Sequence, residues 1–385
     1  MDIMKAVYIY PQFVERAGTE RILADKMNYL ADHEDYEVFF VTYEQCARPL
    51  AFPLSSKIRY IDLDIKYHSC YRFNLFVRLF KWWQLDKQLQ IRYNEIITEL
   101  NPDIVITTTS YSRPVQMVAK CPIMSKRILE SHIDRRYIMS NNPLCRRNIK
   151  DWLFGVRDMY VLTKNARKFD LLVALNRSDA IDWSKYLKTI VISNMVHMNS
   201  TNSLARLENR RVIFVGRYTL QKGILDLLRI WKIVHSRFPD WQLNLYGEGE
   251  MRDELITQSE QLNANININA PSSNIFECYL DSSILVVTSL YEPFGLIMPE
   301  AMSCGLPVVA YNCPEGPGQI ITDGVDGFLV PCRNEMIFVE KLCLLMDSYE
   351  LRRKMGGAAV ISSQRFSGSV IMPIWVDLFR QLLKE

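Results

Sequence analysis

No stretch of the chain reaches the ~18–20 consecutive apolar residues that a membrane-spanning helix needs. The opening residues, MDIMKAVYIYP, enter a strand pattern directly, without the basic start, apolar core and small-residue cleavage site of a secretory signal. The nine cysteines are odd in number, scattered, and form no C-x-x-C pair and no metal-ligand spacing. That excludes a disulfide scaffold or zinc ribbon and fits reduced thiols in a cytosolic setting. No third glycine completes YGEGE, Tyr246 to Glu250, into a dinucleotide fingerprint, so an NAD-dependent oxidoreductase is poorly supported. Low-complexity segments and short repeats are absent as well, and no D-x-D pair is set up like a metal site.

What is present describes an ordinary globular protein: 385 residues, 49% hydrophobic and 23% charged. A prior of roughly 150 residues per domain suggests two domains. The net charge of +3 conceals an asymmetry, because residues 1–195 hold 29 Lys and Arg against 22 Asp and Glu. The first half is therefore at +7 and the remainder, 17 against 21, at −4. A basic first half points to an anionic partner. No nucleic-acid recognition motif accompanies the charge, so an anionic membrane surface is the better candidate.

Apolar runs and helical periodicity alternate along the chain. Strands are expected at Lys5–Tyr10, Glu37–Thr42, Ile58–Leu63, Ile104–Thr107, Arg127–Glu130, Leu171–Leu175 and Thr189–Ile192. The polar segment 196–210, with Asn-Ser-Thr-Asn-Ser inside its first turns, reads as a linker. The alternation then restarts with strands at Val212–Val215, Gln242–Tyr246, Ile266–Asn269, Ile284–Val287, Val308–Tyr311 and Phe328–Val330. This pattern means α/β architecture, two doubly wound Rossmann-like domains facing across a cleft. The domains are expected at 1–195 and 211–365, with 366–385 a terminal helix packing back on the first domain.

Four groups of residues invite a functional reading. Arg217 and Lys222 flank VGRYTLQKG, which leads from a strand into a helix; two cations there suit a polyphosphate, although an isolated pair can equally be solvated surface charge. In SLYEPFGLIMPEAMSCG, Ser289 to Gly305, Glu292 and Glu300 follow a strand, and a helix is expected over Gly295–Cys304 with Gly305 as its stop. The amides of Phe294, Gly295 and Leu296 would then form an anion site. His132 follows a strand in LESHID, where a structural and a catalytic role are both open. Thr19 is a plausible N-cap of a helix to about Asp32, which places Gly18 at a close approach or sharp turn. Finally Tyr71–Tyr93, YRFNLFVRLFKWWQLDKQLQIRY, is either a core helix with a solvated face or a basic aromatic helix for a membrane interface.

Taken together, VGRYTLQKG, YGEGEM and the segment from Ser282 to Val330 resemble the GT-B retaining glycosyltransferases of family four, over about Val212–Val330. The CP-x-GP segment, Cys313 to Pro317, is similar to the subgroup that builds bacterial capsule, O-antigen and related surface polysaccharides. The first half matches more loosely, through AGTER at Ala17 to Arg21 and LESH at Leu129 to His132. The resemblance implies that Arg217 and Lys222 hold a donor diphosphate, that Phe294, Gly295 and Leu296 bind phosphate and sugar oxygens, and that Gly247 of YGEGEM belongs to the same donor-binding set. It implies that Glu300 takes the ribose hydroxyls and Glu292 those of the transferred sugar. Gly18 would approach the diphosphate from the other domain, and His132 would lie near the reacting carbon. Ala17 stands where the family usually has a first glycine.

On this resemblance the chain is expected to move a hexose or N-acetylhexosamine from a UDP-sugar to a glycan acceptor, lipid-linked, with retention and without a metal or other cofactor. The cytoplasmic side of the plasma membrane is its expected place. A non-catalytic nucleotide-sugar-binding partner subunit is the rival from another class.

Overall fold

The computed structural model describes residues 3–122, 124–138, 149–201 and 203–385. The chain divides into two compact units: Met1–Met195 together with Met372–Glu385, and Val196–Ile371.

The sheet of unit 1 is built from β1 (Met4–Ile9), β2 (Tyr36–Thr42), β3 (Arg59–Asp62), β4 (Ile104–Thr108), β5 (Lys126–Ser131), β6 (Leu171–Ala174) and β7 (Thr189–Val191). All pairings are parallel, in the order β3-β2-β1-β4-β5-β6-β7. Unit 2 repeats the plan with β8 (Arg211–Val215), β9 (Gln242–Tyr246), β10 (Ile266–Asn269), β11 (Ile284–Val287), β12 (Val308–Asn312) and β13 (Gly327–Pro331). Its order is β10-β9-β8-β11-β12-β13, again parallel throughout. The central strands read as unbroken apolar runs, such as VFFV in β2 and ILVV in β11, because helices cover both faces of a parallel sheet. Each sheet reverses its winding once, between β1 and β4 in unit 1 and between β8 and β11 in unit 2. Loops diverge at such a switch point and leave a crevice at the carboxyl ends of the strands.

The two-unit α/β architecture matches the expected fold class, and the strands fall within about two residues of their expected positions. Helix starts were less legible. The first helix runs Gly18–His33, and its N-cap residue is Ala17, extended at φ −114° and ψ 172° with no side-chain cap bond. Thr19 lies inside the first turn and caps nothing. Glu20, also in that turn, favours the positive end of the helix dipole.

The helix Leu75–Leu100 is two things in succession. Asn74 caps it by accepting from Val77 N at 3.1 Å. Its second half buries Leu89, Tyr93, Ile97 and Leu100, one stripe at helical spacing, in the core of unit 1. Its first half leaves Phe76, Leu79, Phe80 and Trp83 exposed, Phe76 at 84%. The buried second half fits the core-helix reading of Tyr71–Tyr93, and the first half carries the exposed aromatic residues on which the membrane reading rests.

Residues of 196–210, where described, form neither helix nor strand, yet Val196 N donates to Phe366 O and Ala205 N to Cys304 O, both in unit 2. The last helix, Gly368–Leu382, starts in unit 2 and from Met372 onward belongs to unit 1. There Phe379 packs edge-on against Tyr36 at 5.9 Å, and Lys188 binds Glu385 at 2.8 Å.

Candidate functional site

The switch point of unit 2 brings three loops together. The first leaves β8 at Gly216 and Arg217, tightens into a short 3-10 turn at Leu220–Lys222, and enters the helix Ile224–Arg237 through Gly223. The second leaves β11 at Thr288 and reaches the helix Ile297–Ser303. Main-chain and side-chain bonds knit the two. Leu290 N donates to Gln221 O at 2.8 Å, Gln221 Nε2 to Tyr291 O at 3.1 Å, and Thr288 Oγ1 to Lys222 O at 3.1 Å. Gly223 is needed there twice over: its φ is +62°, and a Cβ would strike the Thr288 carbonyl.

This knitting sets Lys222 against Glu292. Lys222 Nζ pairs with the Glu292 carboxylate, with the two side chains only 15% and 9% exposed. Ser289 Oγ donates to the same carboxylate at 3.3 Å. Arg217, at the mouth of the first loop, is exposed and pairs with no carboxylate among the described residues. Gly247 follows β9, where a Cβ would meet the Gly216 carbonyl, so it shapes the β8 loop from behind.

The third loop, after β12, carries the CP-x-GP segment. Gly316 N donates to Glu292 O at 2.7 Å, and Glu315 makes an isolated bridge with Glu292. Glu315 holds φ +82° to do so, a costly conformation for a side-chain-bearing residue. Burial pushes the Cys313 thiol up, with the Glu292 charge adding to the shift, so this cysteine stays protonated beside the pair.

Between Glu292 and the helix, Gly295 takes φ +94°, and a Cβ there would crowd Met298 and Glu292. The amides of Phe294, Gly295 and Leu296 make no hydrogen bond to another described residue, and Phe294 packs edge-on against Phe366 at 5.4 Å. The helix begins later than expected, at Ile297, because the positive φ at Gly295 delays it. Glu300, in its first turn, is buried and accepts from Tyr279 OH at 3.3 Å.

The remaining expected site residues belong to unit 1. Gly18 is exposed and opens its helix directly after the extended Ala17, and it is not among the positive-φ glycines. His132 is buried just past β5. Its Nε2 lies 3.0 Å from Glu130 Oε2, and Lys26 Nζ binds the other oxygen of Glu130 at 2.6 Å. Lys26, Glu130, Tyr279 and Glu315 were not singled out from sequence. For Glu130 a signal existed, since strand residues two apart share a face. Lys26 lies more than a hundred positions away and left none. Among the described residues no cluster of three His, Cys, Asp or Glu stands together as a metal site, and no helix is long and apolar enough to cross a membrane.

Comparison with known proteins agrees with this geometry. Residues 199–360 match the family model described as Glycosyl transferases group 1, which spans the three loops. The chain is 28% identical to the amylovoran biosynthesis glycosyltransferase AmsD of Erwinia amylovora, over 94% of this chain and 95% of that one. It is 22% identical to the Campylobacter jejuni GalNAc-alpha-(1->4)-GalNAc-alpha-(1->3)-diNAcBac-PP-undecaprenol alpha-1,4-N-acetyl-D-galactosaminyltransferase, over 95% of each. In fold it is similar to a crystal structure of an S. aureus TarM mutant in complex with Fondaparinux, alpha-GlcNAc-glycerol and UDP, with TM-score 0.77, 14% identity, and coverage of 98% and 99%. The chain has the GT-B fold, and its match to the Glycosyl transferases group 1 model lies within unit 2.

Proposed function

We propose that the protein transfers a hexose or N-acetylhexosamine from a UDP-sugar, with retention, to a lipid-linked glycan during surface-polysaccharide assembly. The observation that carries this reading is the Lys222–Glu292 pair at the switch point of unit 2, with exposed Arg217 on the same loop as Lys222 and buried Glu300 in the first turn of the helix that follows Glu292. A lysine ammonium has three donors. One meets Glu292, and two stay available to oxygens of a diphosphate, with the guanidinium of Arg217 as a second cation. These two charges do the work that a metal would do on a departing diphosphate, so the reading calls for none.

In the proposed reaction the bond between the sugar's anomeric carbon and the donor phosphate oxygen breaks as the acceptor oxygen bonds to that carbon on the same face. The acceptor's proton passes to the departing phosphate, and a nucleoside diphosphate leaves. Glu292 orients Lys222 and takes sugar hydroxyls through its remaining lone pairs, while Glu300 takes the ribose hydroxyls. The uridine nucleotide and the acceptor class are supported by the relatives: TarM was crystallised with UDP, the Campylobacter enzyme is named for an undecaprenol-linked acceptor, and AmsD for amylovoran biosynthesis. The exposed aromatic and basic first half of the Leu75–Leu100 helix supports a place on the inner membrane face, where such an acceptor resides. Incubating the purified protein with UDP- and GDP-sugars and following transfer or donor hydrolysis tests the reading. Lys222→Ala should lower the rate ~10²-fold or more; a near-normal rate removes Lys222 from its role.

A further inference from the structure

In the loop after β12, Glu315 stands apart from every other side-chain-bearing residue of positive φ. It holds φ +82° and ψ −81°. The eight other such residues among those described lie between 43° and 64°, in the left-handed helical range. Glu315 lies instead close to the centre of the rare, strained form of the three-residue γ-turn. Glycine would take that backbone at no steric cost. A side chain persists in such a conformation only where its surroundings over-determine it, and residues of this kind gather at ligand clamps and active sites.

What holds Glu315 is main chain. Gly316 N donates to Glu292 O at 2.7 Å, and Glu292 and Glu315 form a parallel bridge, which sets two backbones about 4.8 Å apart. Only glycine allows this approach at 316, because a Cβ would strike the carbonyls of Phe294 and Glu292. Gln319 Nε2 donates to Glu315 O at 3.2 Å. None of these bonds uses the Glu315 carboxylate, which is half-buried and has no hydrogen bond or ion pair among the described residues. The carboxylate alongside is only partly engaged. Lys222 Nζ and Ser289 Oγ both bind Glu292 Oε2, and Oε1 keeps its lone pairs for another donor. Lys222 thus answers the charge of Glu292, while that of Glu315 is met by no cation among the described residues.

We infer that Glu315 is a specificity-determining residue for the transferred sugar: together with Glu292 Oε1, its carboxylate accepts from hydroxyl or amide donors of a neutral sugar and turns away sugars that are themselves carboxylates. Ionised carboxylates only accept. A neutral hexose or N-acetylhexosamine brings a donor to each of them. A uronic acid brings a further negative charge with no proton to give, and such a repulsive contact is how a site rejects a near-identical partner. The sugar contact rests on the glycosyl-transfer reading, whereas the strain at Glu315 does not.

The experiment compares kcat/KM for neutral UDP-sugars and for the UDP-linked uronic acids of the same configuration, in the parental protein, Glu315→Gln and Glu315→Gly. The parental protein should prefer the neutral sugar by ~10³-fold or more. Glu315→Gln keeps the size and the strained backbone but offers an N–H to a carboxylate, so this preference should shrink ~10-fold or more with UDP affinity unchanged. Glu315→Gly releases the strain and deletes the carboxylate. Its melting temperature should rise, and its kcat/KM for the neutral sugar should fall ~10-fold. A parental preference for the uronic acid, or the parental ratio retained in both variants, overturns the inference. So does a melting temperature of Glu315→Gly clearly below the parental one, which would make the side chain a structural support. Absence of binding and turnover with every nucleotide sugar would instead sink the glycosyl-transfer reading, and the melting temperature of Glu315→Gly would still decide whether the backbone is strained.

Discussion

Lys222 and Glu292 pair across the switch point of unit 2, joining the loop after β8 to the loop after β11 with both side chains largely buried. Breaking one side of such a pair strands the other charge, which costs about 3–5 kcal/mol in buried settings. Lys222→Ala should therefore lose both transfer, by ~10²–10³-fold, and thermal stability. Lys222→Met/Glu292→Gln should recover much of the stability and none of the activity. Rate assays and melting curves on the two variants separate the two effects; recovery of activity in the double variant would contradict the assignment.

Glu300 should act on nucleotide affinity. Glu300→Ala is expected to weaken UDP binding ~10-fold, equivalent to about 1.4 kcal/mol, and to lower transfer ~10²-fold. Tyr279→Phe deletes the 3.3 Å bond to the carboxylate and should cost about 1 kcal/mol of stability or less, with a small affinity change. Titration calorimetry with UDP checks both, and equal affinities in wild type and Glu300→Ala would rule out the ribose contact.

At Gly223 the left-handed backbone and the Thr288 carbonyl both exclude a side chain. Gly223→Ala should destabilise by about 1–3 kcal/mol, and it should displace Lys222 enough to reduce activity as well. An unchanged melting temperature together with an unchanged rate would show that the two loops are less tightly joined than their hydrogen bonds imply.

How far these features were legible in the sequence depends on their range. The thirteen strands were legible because parallel strands buried on both faces are short apolar runs. Likewise Arg217, Lys222, Glu292 and Glu300 were legible as residues following strands, where ligands gather. What escaped is contact between distant segments: Lys222 with Glu292, Lys26 with Glu130, Gly316 with the Glu292 carbonyl. Local pattern holds no record of such partners. Thr19 failed as a cap for a different reason, since a good capping residue says nothing when the backbone turns helical one residue earlier.

The first half of the Leu75–Leu100 helix exposes Phe76, Leu79, Phe80 and Trp83, while Lys87 lies 3.6 Å from the Trp83 ring and Lys81 4.6 Å from the Phe73 ring. Arg78→Glu/Lys81→Glu should release the protein from anionic vesicles without unfolding it, each charge near the surface being worth about 1 kcal/mol. Co-sedimentation with phosphatidylserine vesicles gives the answer, and unchanged binding would make this face a plain solvated surface.

Acid should single out Glu130. Its carboxyl is held at about 2 in the folded chain, against ~4.3 for an unfolded glutamate. A depressed carboxyl contributes stability above its unfolded pKa and loses it as pH falls toward the folded value, here about 3 kcal/mol across that window. The stability gap between wild type and Glu130→Gln should thus be full at pH 7 and shrink below about pH 4.3. Urea unfolding at several pH values measures it, and a gap that stays constant down to pH 3 would mean that Glu130 is not held as a carboxylate.

The most direct measurement of the central claim is a transfer and hydrolysis assay of the purified protein across a panel of UDP- and GDP-sugars, with the anomeric configuration of the product read by NMR. The predicted result is turnover with at least one UDP-sugar, retention at the anomeric carbon, and loss of ~10²-fold or more in Lys222→Ala. Inversion, or no binding and no turnover with any nucleotide sugar, would contradict it.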